Sequence, residues 1–347
     1  MHSSDVIIAG AGVIGISLAL ELRERGAGVL VLDRQEPGRE ASSAAAGMLA
    51  ATDPETPGPL RALALEGARL YPQFVQKIES KSGIQVDFRR QGTIAIGQER
   101  PVTGEYRPLS PDELRRTEPH LEAGGLAACF VAEDSVDPAL FMQAALESAR
   151  KSGIEIRSGV HVRSMKSAGD QVEVITDQGR LLAGAAVNCC GAWSGAPVKP
   201  RKGQMLYLQP TRTGLLQHVV RAPGAYIVPR SSGKVLVGAT VEDVGFDKTV
   251  DPQTIRQLHS AAARYVPELA SAAILESWAG LRPGSPDDLP LMGETGQKRI
   301  FLASGHFRNG ILLAPVTARI MADLIAGRPA GMNINAFAPQ RFGVATP

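Results

Sequence analysis

Cysteine is scarce. Cys129, Cys189 and Cys190 are the only three in 347 residues, too few for a disulfide framework, and the adjacent pair has poor spacing for a metal ion. They read instead as small buried hydrophobes on strands. Long runs of one charge are absent too: no basic run is longer than pairs such as Arg89-Arg90 and Arg115-Arg116. With 37 basic against 35 acidic residues the formal net charge is +2, which excludes by bulk charge a binder of nucleic acid or of anionic membranes. No apolar run spans a bilayer uninterrupted. The longest uncharged stretch, residues 181–198, is broken by Asn188, three glycines and Pro197, and reads better as a buried strand entering a glycine turn. The opening MHSSD has no basic region ahead of an apolar run, so no cleaved signal peptide is expected, and the protein is expected to be soluble and cytoplasmic. G-x-S-x-G and H-E-x-x-H are missing, so neither an activated serine nor a zinc-binding helix is signalled. No repeat or low-complexity linker is visible.

Glycine, by contrast, is abundant, at 37 of 347 residues, where an average chain has about 7%. Such an excess marks places where backbone bends sharply or lies against something. With 44% hydrophobic and 21% charged residues the chain has material for an ordered core, and its length suggests about two domains. Along the chain, Val6–Ala9 and Val29–Leu32 are continuous apolar runs flanking a helix with apolar residues at Val13, Ile14, Leu18 and Leu22. This predicts a βαβ unit on a parallel sheet buried on both faces. Helices are expected over 59–81, over 138–151 behind an Asp137 cap with proline at its first position, over 252–265 and over 309–326. Strands are expected over 91–97, several times within 153–191 and 201–238, and at 300–303. The first and last laps share a strand–glycine–helix style. We therefore expect an α/β fold: a discontinuous Rossmann-type dinucleotide domain (1–82, 138–200 and 275–347) carrying an inserted β-rich, α+β substrate domain (83–137 and 201–274).

Gly10-Ala11-Gly12-Val13-Ile14-Gly15 fits G-x-G-x-x-G at the turn between the first strand and its helix. There Gly10 makes the tight turn, Gly12 lets main-chain N–H groups approach a pyrophosphate, and Gly15 lets the helix pack on the strand. The helix N-terminus adds partial positive charge. Asp33 closes the second strand, where a carboxylate accepts hydrogen bonds from ribose hydroxyls and repels a 2′-phosphate, disfavouring NADP. The plainer alternative is a glycine-rich helix–sheet contact with no ligand. The unit alone does not decide between NAD and FAD. Arg39–Ala51, with Ser42, Ser43, Ala44, Ala45, Ala46 and Gly47 in succession, has little bulk and would let a planar ring lie against main chain; a tightly packed small-residue helix explains the run equally well.

The segments GAGVIGISLALELRERG, SSAAAGMLA, SVDPALF, NCCGAWSG, KGQML, YIVPR, VLVGATVED, WAGLRPGSPDDLPLMG and GHFRNGILLAP together resemble the FAD-dependent glycine/D-amino-acid oxidase family, most of all its glycine-oxidising branch in thiamine biosynthesis. The resemblance runs from about residue 5 to about residue 320 and is weakest over 100–125. It implies noncovalent FAD, since covalent relatives use a cysteine near the last lap and the final cysteine here is Cys190. By the same resemblance the cofactor's neighbours are Gly10, Gly12, Val13, Ile14 and Gly15 at the pyrophosphate turn, and Asp33 and Arg34 at the ribose edge. Ser42 and Ser43 fall on the phosphate side, Ala46, Gly47 and Met48 beside the ring, and Val162 at the adenine. Gly191 lies in the closing turn, and His306, Phe307, Arg308, Asn309, Gly310, Ile311 and Leu312 at the start of the final helix. That helix's N-terminus would stabilise negative charge on the reduced ring.

As bare residues, Arg282 could be a surface ion pair with Asp287 or Asp288, Tyr226 an ordinary strand aromatic, and His306 a structural histidine without a partner. By resemblance Arg282 grips the substrate's α-carboxylate, Tyr226 reaches the same group, and Arg308 lies near substrate and flavin. The implied reaction converts glycine, O2 and water to glyoxylate, ammonia and hydrogen peroxide by hydride transfer to flavin N5. It needs orientation rather than a catalytic acid, base, nucleophile or metal. Partners implied are a small amino acid and O2, a homo-oligomer (a tetramer in relatives), and a thiazole synthase taking the imine. The alternatives are a sarcosine-type oxidase, a D-amino-acid dehydrogenase or, from another class, a non-catalytic FAD-binding module.

Overall fold

The structure, a computed structural model, describes residues 4–97 and 106–342. Met1–Ser3, part of the segment behind the no-leader expectation, and positions 100–105 of the weakly matching region lie outside the described residues. The chain opens with β1 (Ser4–Ala9), α1 (Val13–Glu24) and β2 (Val29–Leu32), then a short α2 (Ala41–Ala44), β3 (Met48–Leu49) and the long α3 (Arg61–Ser82). Next come β4 (Phe88–Arg89), β5 (Thr93–Ile96), β6 (Tyr106–Leu109), α4 (Pro111–Thr117), β7 (Ala128–Val131), β8 (Asp134–Val136) and α5 (Pro138–Lys151). The four strands β9 (Glu155–Arg157), β10 (Val162–Ala168), β11 (Gln171–Thr176) and β12 (Gly179–Asn188) follow. Another four are β13 (Lys199–Gln209), β14 (Val219–Ala222), β15 (Ala225–Pro229) and β16 (Val235–Gly238), ahead of α6 (Pro252–Tyr265). β17 (Ala273–Gly284), β18 (Leu291–Glu294), β19 (Ile300–Ser304) and α7 (Gly310–Ile325) complete the elements that build the site.

The first sheet runs β10-β11-β12-β1-β2-β9, with β19 on β12 and β18 on β19. β1 pairs parallel with both β2 and β12, giving the βαβ unit that the apolar spacing predicts. Alternate residues of β1 feed two cores: Val6 and Ile8 pack with α1, α3, α5 and α7, while Ile7 and Ala9 pack with Val172, Val174 and Met165. Burying each such Ile or Leu contributes about 1.5–3 kcal/mol. α5 and α6 begin where expected, because Asp137 accepts from the N–H groups of Ala139 and Leu140 and Asp251 from those of Gln253 and Thr254, each ahead of a proline.

The second sheet runs β17-β13-β16-β15-β14-β5-β7-β6, with α6 packed on it. A three-stranded sheet, β3-β8-β4, lies apart from both. The expected boundary at residue 275 cuts through β17, which pairs with β13 from Ala273 to Gly284, so the strand carrying Trp278 and Arg282 joins the second sheet. This antiparallel pairing, irregular only near Tyr207, joins β17 to β13, most of which the sequence division assigns to the other domain. The cysteine expectation is also refined. Cys129 is buried on β7, whereas Cys189 and Cys190 lie just past the end of β12 in the turn facing the cavity described below. Among the described residues no helix is long and apolar enough to cross a membrane.

Candidate active site

The C-terminal ends of β1, β2 and β19 face one elongated cavity of about 460 Å³, within the range of about 300–1,000 Å³ typical of ligand sites. Ligands bind at this edge of parallel sheets because helix N-termini converge there. Gly10 has φ +102°, and a Cβ on it would lie 2.5 Å from the Cys189 carbonyl oxygen, so only glycine makes this turn. A Cβ on Gly15 would collide with the Gly10 carbonyl oxygen, which is the close packing expected of the third glycine.

α1 starts at Gly12 with no side-chain cap and no acid in its first turn; the Ser42 hydroxyl accepts from the Val13 N–H at 2.9 Å. α7 likewise starts without a side-chain cap or an acid. Two helix N-termini with no acid in their first turns therefore face one cavity, a donor set suited to anionic groups. Asp33 accepts from the Ala11 N–H at 2.7 Å and the Gln35 N–H at 2.9 Å, which fixes its carboxylate beside the glycine turn. Arg34 lies 4.1 Å over the Trp193 ring. Turn, carboxylate and helix ends thus fit a dinucleotide laid along the cavity.

The other end is built from the second sheet. Tyr226 comes from β15 and Arg282 from β17, and both border the cavity. Arg282 donates to the Thr240 carbonyl at 3.0 Å and has no carboxylate partner among the described residues. Of the two acids that could have paired with it, Asp287 is held by Arg341 at 2.8 Å, and Asp288 makes no ion pair with Arg282 among the described residues. Space for these two side chains is made by glycines on neighbouring strands: a Cβ on Gly203 would collide with the Arg282 guanidinium, and one on Gly238 would lie 2.6 Å from the Tyr226 ring. Burial raises the Tyr226 phenol above its ordinary value although Arg282 and Arg308 pull the other way, so it is a protonated donor at neutral pH.

Of the residues singled out from sequence, Gly10, Gly12, Val13, Ile14, Asp33, Arg34, Ser42, Ala46, Gly47, Met48, Val162, Gly191 and Tyr226 border this one cavity. So do Arg282, His306, Phe307, Arg308, Asn309, Gly310 and Ile311. Gly15, which packs against the Gly10 carbonyl, Ser43 and Leu312 do not. The Ser43 N–H is turned back onto the Gly38 carbonyl, and Leu312 is buried in the α7 core with its carbonyl where a Cβ on Gly67 would sit. His306 is 2% exposed, hydrogen-bonds Thr317 at 3.1 Å, and is pushed down to about 3 by burial. It is a neutral structural histidine. Burial likewise pushes the Cys190 thiol up to about 12, and Cys189 higher still, so neither is a thiolate.

Sequence reading missed the segment after the small-residue run. Glu55 pairs with Arg308, and Asp53 lies 3.7 Å from Arg308 and 3.0 Å from the buried Arg221, itself 3.1 Å from Glu133. Two acids beside prolines in ATDPETPGP, between a small-residue run and a helix, were the available signal. Trp278 was missed as well; it donates to the Ala44 carbonyl at 3.1 Å.

The FAD dependent oxidoreductase family matches residues 5–324. Glycine oxidase of Pseudomonas aeruginosa is 33% identical over 97% of this chain and 99% of its own length. The bifunctional protein ThiO/ThiG of Synechocystis sp. is 36% identical over 99% of this chain but 55% of its own, so the chain spans about half the length of that relative. The crystal structure of glycine oxidase from Geobacillus kaustophilus superposes with a TM-score of 0.93 at 30% identity, covering 98% of this chain and 99% of that one.

Proposed function

This chain belongs to the FAD dependent oxidoreductase family, and from that premise we propose that it catalyses oxidative deamination of glycine and other small amines or D-amino acids. The products are the oxo acid (glyoxylate from glycine), ammonia and hydrogen peroxide. The observation that carries this reading is Arg282: a guanidinium on the cavity wall that donates to a backbone carbonyl and forms no ion pair among the described residues. Its planar fork is suited to a substrate carboxylate. When bound, FAD supplies a hydride acceptor at N5 and passes the electrons on to O2.

The chain's own residues orient the substrate and keep water out. Arg282 fixes the carboxylate, and Tyr226, kept protonated, adds a second donor. Arg308 contributes less attraction because Glu55 and Asp53 already balance its charge. Ala46, Met48 and Met205 give the cavity an apolar wall, which strengthens these electrostatic contacts. His306 takes no proton near neutral pH. Fixing carboxylate and ring on one frame is the contribution that orientation makes to rate.

The test is the visible spectrum of the FAD-loaded protein, mixed anaerobically with glycine, sarcosine or D-alanine and then exposed to air. Bleaching by at least one of these and peroxide on admitting air are expected. A flavin that stays oxidised with all three sinks the proposal, and one that bleaches but reacts slowly with O2 makes the protein a dehydrogenase. We further propose that the imine product feeds a thiazole synthase, a reading supported by relatives that join ThiO and ThiG in one name. Co-purification with that enzyme tests it. The homo-oligomer implied by the resemblance is part of the same proposal, with sedimentation equilibrium as its check.

A further inference from the structure

Arg230, at the end of β15, is 4% exposed and belongs to neither the substrate clamp nor the dinucleotide turn. It donates through Nη2 to the Ala46 carbonyl at 2.7 Å and through Nη1 to the Val136 carbonyl at 3.0 Å. Its nearest carboxylate is Asp137, 3.8 Å from Nε. The charge is therefore buried and spent mainly on two peptide carbonyls. Both belong to one knot. The Gly47 carbonyl accepts from the Val136 N–H at 2.9 Å, and Gly47, at φ +77°, could carry no side chain because a Cβ would strike the Val136 carbonyl.

Across a trans peptide the C=O and N–H point in opposite directions. An Ala46 carbonyl aimed at Arg230 therefore sends the Gly47 N–H the other way. Gly47 borders the cavity, and its N–H has no protein acceptor among the described residues. We propose that Arg230 is a positioning residue for the cofactor: it holds the Ala46–Gly47 peptide so that the Gly47 N–H is presented to the flavin ring's polar edge, and its buried charge, relayed through that peptide, favours the reduced, anionic ring. The inference deepens the FAD reading and rests on it. A charge aligned with a peptide dipole in a low-dielectric setting is far more effective than the same charge in water.

The experiment compares Arg230→Gln, which keeps an amide donor but no charge, with Arg230→Lys, which keeps the charge. Both are purified with FAD, and the midpoint potential of the bound flavin is read by equilibration with a reference dye, alongside thermal unfolding of the apo forms. In Arg230→Gln the equilibrium constant for two-electron reduction should fall about tenfold, equivalent to about 30 mV, and Arg230→Lys should recover most of it. Unchanged potentials in both variants, whatever happens to thermal stability, overturn the proposal, as does an equal fall in both. Trp278→Phe, which removes the neutral link to the Ala44 carbonyl, should leave the potential where it is; a fall as large as in Arg230→Gln would assign the effect to loosened packing and overturn the role of the charge. Failure of the unsubstituted protein to take up FAD is a different result and would strike the cofactor reading itself.

Discussion

The two ends of the cavity are built on different principles. At the dinucleotide end nearly everything comes from one continuous segment, β1 through β2, and the groups offered are mostly main chain: a glycine turn, a helix N-terminus and one carboxylate. At the substrate end the groups are side chains: Tyr226 and Arg282 are brought together by the pairing of the second sheet, and Arg308 comes from the segment between β19 and α7. A main-chain site is specified by where side chains are missing, and it is broken by adding one. A side-chain site is broken by removing one.

The largest effect should therefore follow an addition. Gly10→Val places branched carbons against the Cys189 carbonyl at a φ that L-residues avoid. Complete loss of bound FAD is expected, seen as the missing visible flavin band after reconstitution; a yellow Gly10→Val protein would break the comparison. Next comes a removal at the other end. Arg282→Ala should keep FAD but lose about 2–4 kcal/mol of substrate binding, raising apparent KM roughly 30- to 1,000-fold. An unchanged KM would take Arg282 out of the site.

Between the two ends sits His306, whose folded value of about 3 lies below its ordinary one. The unfolded chain binds a proton below about pH 6.5 that the folded one refuses, so this residue costs stability progressively as pH falls from there towards 3, by about 1.4 kcal/mol per pH unit. Denaturant titrations of His306→Asn and the parent at pH 5 and pH 8 should show a difference shifting by about 2 kcal/mol in favour of the variant at the lower pH. A pH-independent difference would mean the imidazole is not held neutral by burial. The smallest effect should come from Tyr226→Phe, which deletes one neutral donor. A loss of about 0.5–1.5 kcal/mol is expected, read as a KM rise of up to about tenfold with FAD affinity untouched. A loss as large as that of Arg282→Ala would make the tyrosine an equal partner.

The same contrast explains what could be read in advance. The βαβ unit, Gly10, Gly12, Gly15 and Asp33 are local in sequence, and their mechanics follow from spacing alone. The capped starts of α5 and α6 are local too. Arg282 and Tyr226 are 56 positions apart in the chain, and only the registers Arg201↔Arg282 and Tyr226↔Gly238 bring them to one wall. Resemblance supplied that pairing; composition and periodicity did not. Asp53, Glu55 and Arg221 escaped both routes, because the loop's sequence does not say which cations, contributed by β14 and by the segment before α7, its acids will meet. Leu312 and Ser43 show the converse: they neighbour wall residues in the chain but do not border the cavity, Leu312 being buried in the α7 core and the Ser43 N–H turned onto the Gly38 carbonyl.

β17 places Trp278, Gly280 and Arg282 at alternate positions. The first holds the Ala44 carbonyl, the second leaves room where its Cβ would lie 2.7 Å from the Ala44 side chain, and the third borders the cavity. The strand works like a ruled edge with three marks, and its zero is set by the ladder to β13. Inserting a single residue between α6 and Ala273 would shift every mark by one and present Leu281, now buried at 1% exposure, in place of the arginine. Insertions and deletions upstream of this strand should accordingly act as all-or-none events for substrate recognition. Substitutions at Gly280 alone should instead tune, in steps of one methyl group, how closely the small-residue run may approach.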